Sequence, residues 1–362
     1  MSARLVVLAS GLVAALVLVA PAGAAEPQGR RHYFLERSFF FLGHFDQQLR
    51  SAPGYYSEAD RARDDDEVMF EAIPAPHLFF LNQLGREHLQ FGTDKKAESD
   101  AHGPAWEVSF VFLVRLRQHG GFSSPLRNPS FMPRFTVQRL SVRRKKPGDF
   151  AEGNWIKVFG PLVVPWGHHS NGGSGCLFLE DDVNADCADS LPPEQRRVNT
   201  QNGSFSTNYV RLGYGFEQDW PDRNESFVRK GWSAMAWVEL NPKKWGPGAL
   251  DDAQRRIYGP ERIGVSLKGE LRTKLFKWDV NWAVNPQYEY IHYDSKPAPG
   301  ASPHRFIVDL TGVKDSGRFR GWGLAARFYQ GQDFYNLLFI RDIRRVQIGL
   351  VVDPQVRTLK ID

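Results

Sequence analysis

The chain of 362 residues carries 46 Lys and Arg against 41 Asp and Glu, a formal charge of +5, and 13% of its residues are aromatic. The balance is mildly basic and lacks the long like-charge runs of nucleic-acid tails, so no nucleic acid is expected as a partner. The length suits one large core or two of ordinary size and does not decide between them.

The first segment runs from Met1 to Arg4, continues as an apolar stretch from Leu5 to Val19 and ends in the small residues Pro21 to Ala25. A charged start, a hydrophobic centre and a small-residue end form a secretory signal peptide over 1–25, cut near Ala24 or Ala25. The apolar stretch is shorter than the roughly 20 residues of a membrane-spanning helix. No later stretch offers such a helix, so a mature chain that crosses a membrane must do so as a closed barrel. Residues 26–105 follow as a polar, irregular N-terminal segment, with the acidic run Asp64 to Glu67. It reads as an arm, a plug or an early strand.

From Trp106 the texture changes to segments of alternating apolar and polar residues, punctuated by Pro, Gly, Asn and Asp. Phe276, Trp278, Val280, Trp282 and Val284 share one parity, while Lys277, Asp279 and Asn281 share the other. Ile263, Val265, Leu267 and Leu271 repeat the pattern, as do Val346, Ile348, Leu350 and Val352. These are strands with two unlike faces, and the fold class is all-β. A soluble sandwich that binds an apolar ligand would alternate as well. The 10 Trp, 11 Tyr and 26 Phe gather near strand ends, opposite a charged parity, which suits the girdles and polar lumen of a transmembrane antiparallel β-barrel. One barrel domain over 106–353 is the economical division, with a tail over 354–362.

Chemistry concentrates at His168-His-Ser-Asn-Gly172. Read as a strand, the even positions Ile156, Val158, Leu162, Val164 and Trp166 continue into His168 and Ser170, with His169 on the opposite face. In the following strand Ser204, Ser206 and Asn208 continue into Val210, Leu212, Tyr214 and Phe216. Polar groups on a hydrocarbon-facing row are costly unless they bond to one another. A serine needs a base, and the base needs an orienting partner, a role that an Asn carbonyl can fill. Ser170 is the candidate nucleophile, His168 the base and Asn208 the orienting residue. The same residues also read as a polar strand end entering an Asn171-Gly172 turn.

Between the two strands lies an insertion, 173–203, that holds both cysteines and the acidic residues Glu180, Asp181, Asp182, Asp186 and Asp189. Behind a signal peptide, Cys176 and Cys187 are expected to form a disulfide.

Taken together, these motifs resemble the outer-membrane phospholipase A family. His168-His-Ser-Asn-Gly172 is similar to its His-x-Ser-Asn-Gly motif, and Ser204-Phe-Ser-Thr-Asn208 to its Ser-x-Ser-x-Asn motif, in the same order. Ser123-Ser-Pro-Leu-Arg127 resembles a further loop, and Phe328 to Tyr335 with the Val346 strand resembles the last hairpin. The resemblance implies a twelve-stranded barrel in a bacterial outer membrane and hydrolysis of phospholipid acyl esters, of phospholipase A1, phospholipase A2 and lysophospholipase type. It also implies Ca²⁺ as cofactor and an active homodimer. The Ser204 hydroxyl and the Gly173 carbonyl would bind the cation, with Ser123 contributed by the second subunit. The insertion and the non-aromatic end at Asp362 depart from the family pattern. The rival reading is a catalytically inactive barrel, porin-like or structural.

Overall fold

The computed structural model describes residues 37–50, 68–83, 102–119, 128–145, 155–179, 187, 197–199, 202–221, 228–242, 249–294, 297, 301–315, 319–335, 338–339 and 341–353. The signal segment, Ser123, the acidic residues of the insertion and the tail over 354–362 lie outside them.

The strands are β1 (Ser38–Arg50), β2 (Val68–Ile73), β3 (His77–Asn82), β4 (His102–His119), β5 (Ser130–Lys145), β6 (Trp155–Ser170), β7 (Phe178–Leu179), β8 (Arg197–Val198) and β9 (Ser206–Pro221). They continue as β10 (Val228–Leu240), β11 (Glu261–Leu275), β12 (Trp278–His292), β13 (His304–Lys314), β14 (Trp322–Gln332) and β15 (Asp342–Val352). Among the described residues there is one helix, α1 (Asp252–Tyr258), which starts at an Asp251 to Gln254 capping box.

Antiparallel pairing runs through the thirteen strands of the main sheet, and β2 closes it by pairing with β4. Both β2 and β3 lie along β4, so they count as two halves of one stave and the barrel has twelve. The break falls at Pro74-Ala75-Pro76, where proline cannot donate to a ladder. The ladder of β4 nevertheless continues across it, with Val114 N–H and Phe112 N–H donating to the carbonyls of Pro74 and Pro76 at 3.1 Å each. Because β1, β2 and β3 are part of the wall, the boundary expected at residue 106 is corrected: the wall already includes Ser38.

Alternation sorts the side chains as expected for β11, β12 and β15. Leu212, Leu267, Leu324 and Ile348 are 62%, 54%, 68% and 55% exposed on the outer face. Phe276 is an exception to its row, since it sits at φ 55° in the turn between β11 and β12. The inner face is charged and paired: Arg327 holds Asp309 at 2.6 and 3.0 Å, Arg262 holds Glu239 at 2.8 Å, and Arg117 holds Asp333 at 2.6 and 2.8 Å. An apolar wall around a polar interior is the reverse of a soluble core. With an even strand count, it is the architecture of bacterial outer-membrane barrels, and the chain is an outer-membrane barrel.

The two ends of the barrel differ. The two-residue turn Phe276-Lys277 and the outer ends of β1 and β15 lie at one end, which therefore faces the periplasm. At the other end the described residues that follow β6, precede β9 and lie between β10 and β11 fold inward. Leu177, Phe178, Phe205, Leu250, Ile257, Tyr258, Phe334 and Phe339 pack there into a buried cluster that covers the mouth.

Candidate functional site

Strand β6 carries one residue more than its neighbours. Its pairing with β9 shifts between Val164 and Gly167, and its pairing with β5 shifts at the same level. Pro165 lies at this bulge, where a missing N–H costs nothing to the ladder. One extra residue reverses parity. Val158, Leu162 and Val164 therefore point inward, with Leu162 and Val164 packed on Tyr209, while Trp166, half-buried His168 and half-buried Ser170 point outward. The continuous even row expected from Ile156 to Ser170 is thus corrected. The bulge splits it, and His168 and Ser170 reach the outer face only beyond it.

Across the β6–β9 seam His168 pairs with Asn208 and Ser170 with Ser206. His168 Nδ1 lies 2.8 Å from Asn208 Oδ1. A carbonyl oxygen only accepts, so Nδ1 carries the proton and Nε2 keeps its lone pair. The imidazole also stacks on Trp166, with ring centroids 6.1 Å apart and an interplanar angle of 14°. These two contacts hold the ring on both sides. Ser170 is two residues along the same face, and among the described residues it forms no hydrogen bond with His168. The arrangement is a base with its tautomer set and a hydroxyl beside it, able to become a nucleophile.

Just past β6, Asn171 is buried and uses its side chain fully. Its amide donates to the Gly203 carbonyl at 2.6 Å, and its Oδ1 accepts from Phe205 N–H at 2.8 Å and Gly173 N–H at 3.3 Å. Gly172 turns the chain with φ +64°, a left-handed value that favours glycine. A Cβ on Gly173 would lie 2.1 Å from the Gly203 carbonyl oxygen, so only glycine allows the two segments to meet. Ser204 N–H then donates to the Gly175 carbonyl at 2.8 Å. The fold thus brings Gly173 and exposed Ser204 to opposite sides of one clamp. A backbone carbonyl and a hydroxyl are neutral oxygens of the kind a hard cation accepts. Among the described residues no cluster of three or more His, Cys, Asp or Glu side chains could hold a metal. Beyond the clamp, Cys176 and Cys187 are joined in a disulfide.

Sequence reasoning missed the support behind this edge. His169, the inward neighbour of His168, donates to or accepts from the Tyr258 hydroxyl at 3.1 Å and stacks on Phe334 at 5.2 Å. Tyr258 and Phe334 arrive from helix α1 and from the segment after β14, far away in sequence. The Asp251-x-x-Gln254 capping box was the one local sign of that helix. Inside the barrel, below this aromatic layer, lies a cavity of about 340 Å³ lined by side chains such as Arg115, Arg211, Glu239 and Arg262.

No family model matches the chain, and no curated protein matches it in sequence. Among solved structures the chain is similar to outer membrane phospholipase A from Escherichia coli, at 11% identity over 92% of this chain and 95% of that one, with a TM-score of 0.43. It is also similar to the Salmonella typhi outer membrane phospholipase dimer with bound calcium, at 12% identity over 94% and 96%, with a TM-score of 0.41. A third likeness is to the translocator domain of the autotransporter NalP from Neisseria meningitidis, at 10% identity over 96% of each chain and a TM-score of 0.29.

Proposed function

We propose that this protein is a phospholipase of the outer membrane, hydrolysing acyl esters of phospholipids with Ser170 as nucleophile, His168 as base and Asn208 as the residue that orients it. The observation that carries the reading is the 2.8 Å contact between His168 Nδ1 and Asn208 Oδ1, placed on the lipid-facing row that also carries Ser170. A base whose tautomer is fixed by a carbonyl has no structural purpose on a hydrocarbon-facing wall, where an apolar pair would be cheaper.

In this reading Ser170 Oγ attacks the ester carbonyl as its proton passes to His168 Nε2. The same proton then goes to the departing alcohol of the lipid, which leaves an acyl group on Ser170. Water, deprotonated in turn by His168, releases the fatty acid and restores the serine. Asn208 keeps Nδ1–H in place throughout. The Gly173 carbonyl and the Ser204 hydroxyl would hold a calcium ion, together with Ser123 of a second copy. An ion held by these residues would supply positive charge for the developing oxyanion.

Release of fatty acid from phospholipid vesicles by the purified, refolded barrel in calcium tests the reading, with Ser170→Ala as control. An inactive barrel would release none under any cation condition.

A further inference from the structure

At the periplasmic end of the wall, strands β5 and β6 set two cations directly against each other. Arg143 and Lys157 are paired residues across this seam, each two positions from the end of its strand. Both lie on the outward parity, since their neighbours Val142 and Val158 pair beside them and are buried inside. Directly opposed side chains in an antiparallel pair have Cβ atoms about 4.5–5.5 Å apart, and like charges so placed destabilise the sheet. Arg139 adds a third cation, exposed on the same row of β5.

Each arginine rests on a ring. Arg143 Cζ lies 5.3 Å from the Phe159 centroid, and Arg139 Cζ lies 5.9 Å from the Trp106 centroid. A ring covers one face of a guanidinium and leaves its in-plane N–H donors open. Neither arginine makes an ion pair among the described residues. Nor do the outward rows of β4, β5, β6 and β9 carry any described Asp or Glu, because Glu107, Glu217 and Asp219 are buried on the inner face. Trp106 and Trp220 on these outward rows mark the membrane interface, where lipid head groups lie.

Toward the membrane centre the same face turns apolar. Phe159, Pro161 and Val163 follow Lys157 on β6, and Tyr214 and Leu212 of β9 pair with Pro161 and Val163. All but half-buried Phe159 are exposed. Opposed cations at head-group depth, continued by an apolar track, are complementary to a phosphate that carries hydrocarbon chains. A phosphate accepts from the fork of Arg143 and from the Lys157 ammonium at once, and so relieves their repulsion.

We propose that the Arg143 and Lys157 seam binds the phosphate of an anionic phospholipid of the periplasmic leaflet, with an acyl chain along Phe159, Pro161 and Val163. The site shares no residue with the His168 edge, so it does not depend on the hydrolytic reading.

Native mass spectrometry of the full chain in mixed micelles of phosphatidylglycerol and phosphatidylcholine tests it. Wild type should retain phosphatidylglycerol several-fold over phosphatidylcholine. Arg143→Gln/Lys157→Gln should lose that preference. Lys274→Gln/Lys277→Gln, which removes two charges from the β11 to β12 turn at the same end, should keep it. Heat-modifiable mobility on gels verifies that each variant is folded, and the single variants Arg143→Gln and Lys157→Gln, each expected to lose part of the preference, decide the matter if the double variant does not fold. Equal retention of the two lipids by wild type, or an unchanged preference in the folded seam variants, would overturn the proposal. So would an equal loss in the turn variant, because the preference would then belong to the charge of that end as a whole.

Discussion

His168 and Asn208 are directly opposed residues on β6 and β9, and their 2.8 Å contact spans the seam between the strands. The orienting bond therefore depends on strand register, not on a mobile loop. Ser170→Ala is expected to lower hydrolysis by more than about 10⁴-fold while the barrel remains heat-modifiable. Asn208→Ala should cost less, about 10²-fold, because the imidazole keeps its Trp166 stack and loses only its tautomer control. Initial rates on a soluble ester substrate measure both, and near-normal turnover by Ser170→Ala would remove the assignment.

Asn171 contributes through the clamp. Asn171→Ala leaves Gly203 C=O, Phe205 N–H and Gly173 N–H without their side-chain partner, a loss of roughly 1–3 kcal/mol for each buried group that water does not reach. Because Gly173 and Ser204 flank those bonds, the calcium concentration for half-maximal activity should rise, more than the rate at saturating calcium falls. A calcium titration of activity separates these effects. An unchanged midpoint would mean that the clamp has no part in cation binding.

Much of the wall was legible from alternation alone, because a lipid-facing row and a charged row differ so sharply on β11, β12 and β15. The bulge in β6 was not. Alternation places Val158, Leu162 and Val164 on the row of His168, and only the pairing with both neighbours shows that one residue is extra. Pro165 was the available sign, since proline inside a paired strand suggests a bulge. The stave made of β2 and β3 was hidden for a similar reason: Pro74 and Pro76 divide it into two pieces too short to stand out. The partners of His169 were not legible at all, because Tyr258, Phe334 and Phe339 come from segments joined only by the closing of the barrel.

The disulfide between Cys176 and Cys187 closes a short loop with a sequence separation of 11. Cys176→Ser/Cys187→Ser is expected to remove about 2–4 kcal/mol of local stability. Faster proteolysis of the insertion should reveal it, with barrel mobility unchanged. Intact mass before and after alkylation checks the bridge itself, and two alkylated cysteines in unreduced envelope protein would refute it.

At the covered mouth, Asp333 bonds Arg117 through both carboxylate oxygens. Burial alone would push the Asp333 carboxyl up, but Arg117 and Arg345 outweigh it and hold it below its ordinary value. A depressed carboxylate contributes stability above its unfolded pKa and loses it as pH falls through the folded one. The contribution should therefore be complete at pH 5 and decline only below about pH 4. Asp333→Ala should cost roughly 1–3 kcal/mol at neutral pH by leaving the buried Arg117 Nη groups without their acceptor, while Arg117 Nε keeps Glu71 at 3.1 Å. Urea unfolding in detergent across pH measures both.

Hydrolysis is expected to require calcium and self-association together, for a reason that lies in the placement of the site. His168, Ser170 and Asn208 occupy the outward row, so a lone barrel offers them lipid on one side and no second wall against which to hold an acyl chain. A cleft needs another surface. A second copy meeting this seam about a two-fold axis would supply one to each site, since each patch then faces its own equivalent. In the proposed site the Gly173 carbonyl and the Ser204 hydroxyl would supply two donors from one chain, fewer than the six to eight oxygens a calcium ion typically takes. A further oxygen from the Ser123 loop of the second copy would tie cation binding to association. If so, each event must strengthen the other by the same factor. Cross-linking and fatty-acid release measured in parallel along one calcium titration should rise with a common midpoint, and Ser204→Ala should move both midpoints to higher calcium. Full activity in a strictly monomeric preparation, or activity indifferent to chelator, would exclude this coupling and leave the Ser170, His168 and Asn208 roles to be judged by their own variants.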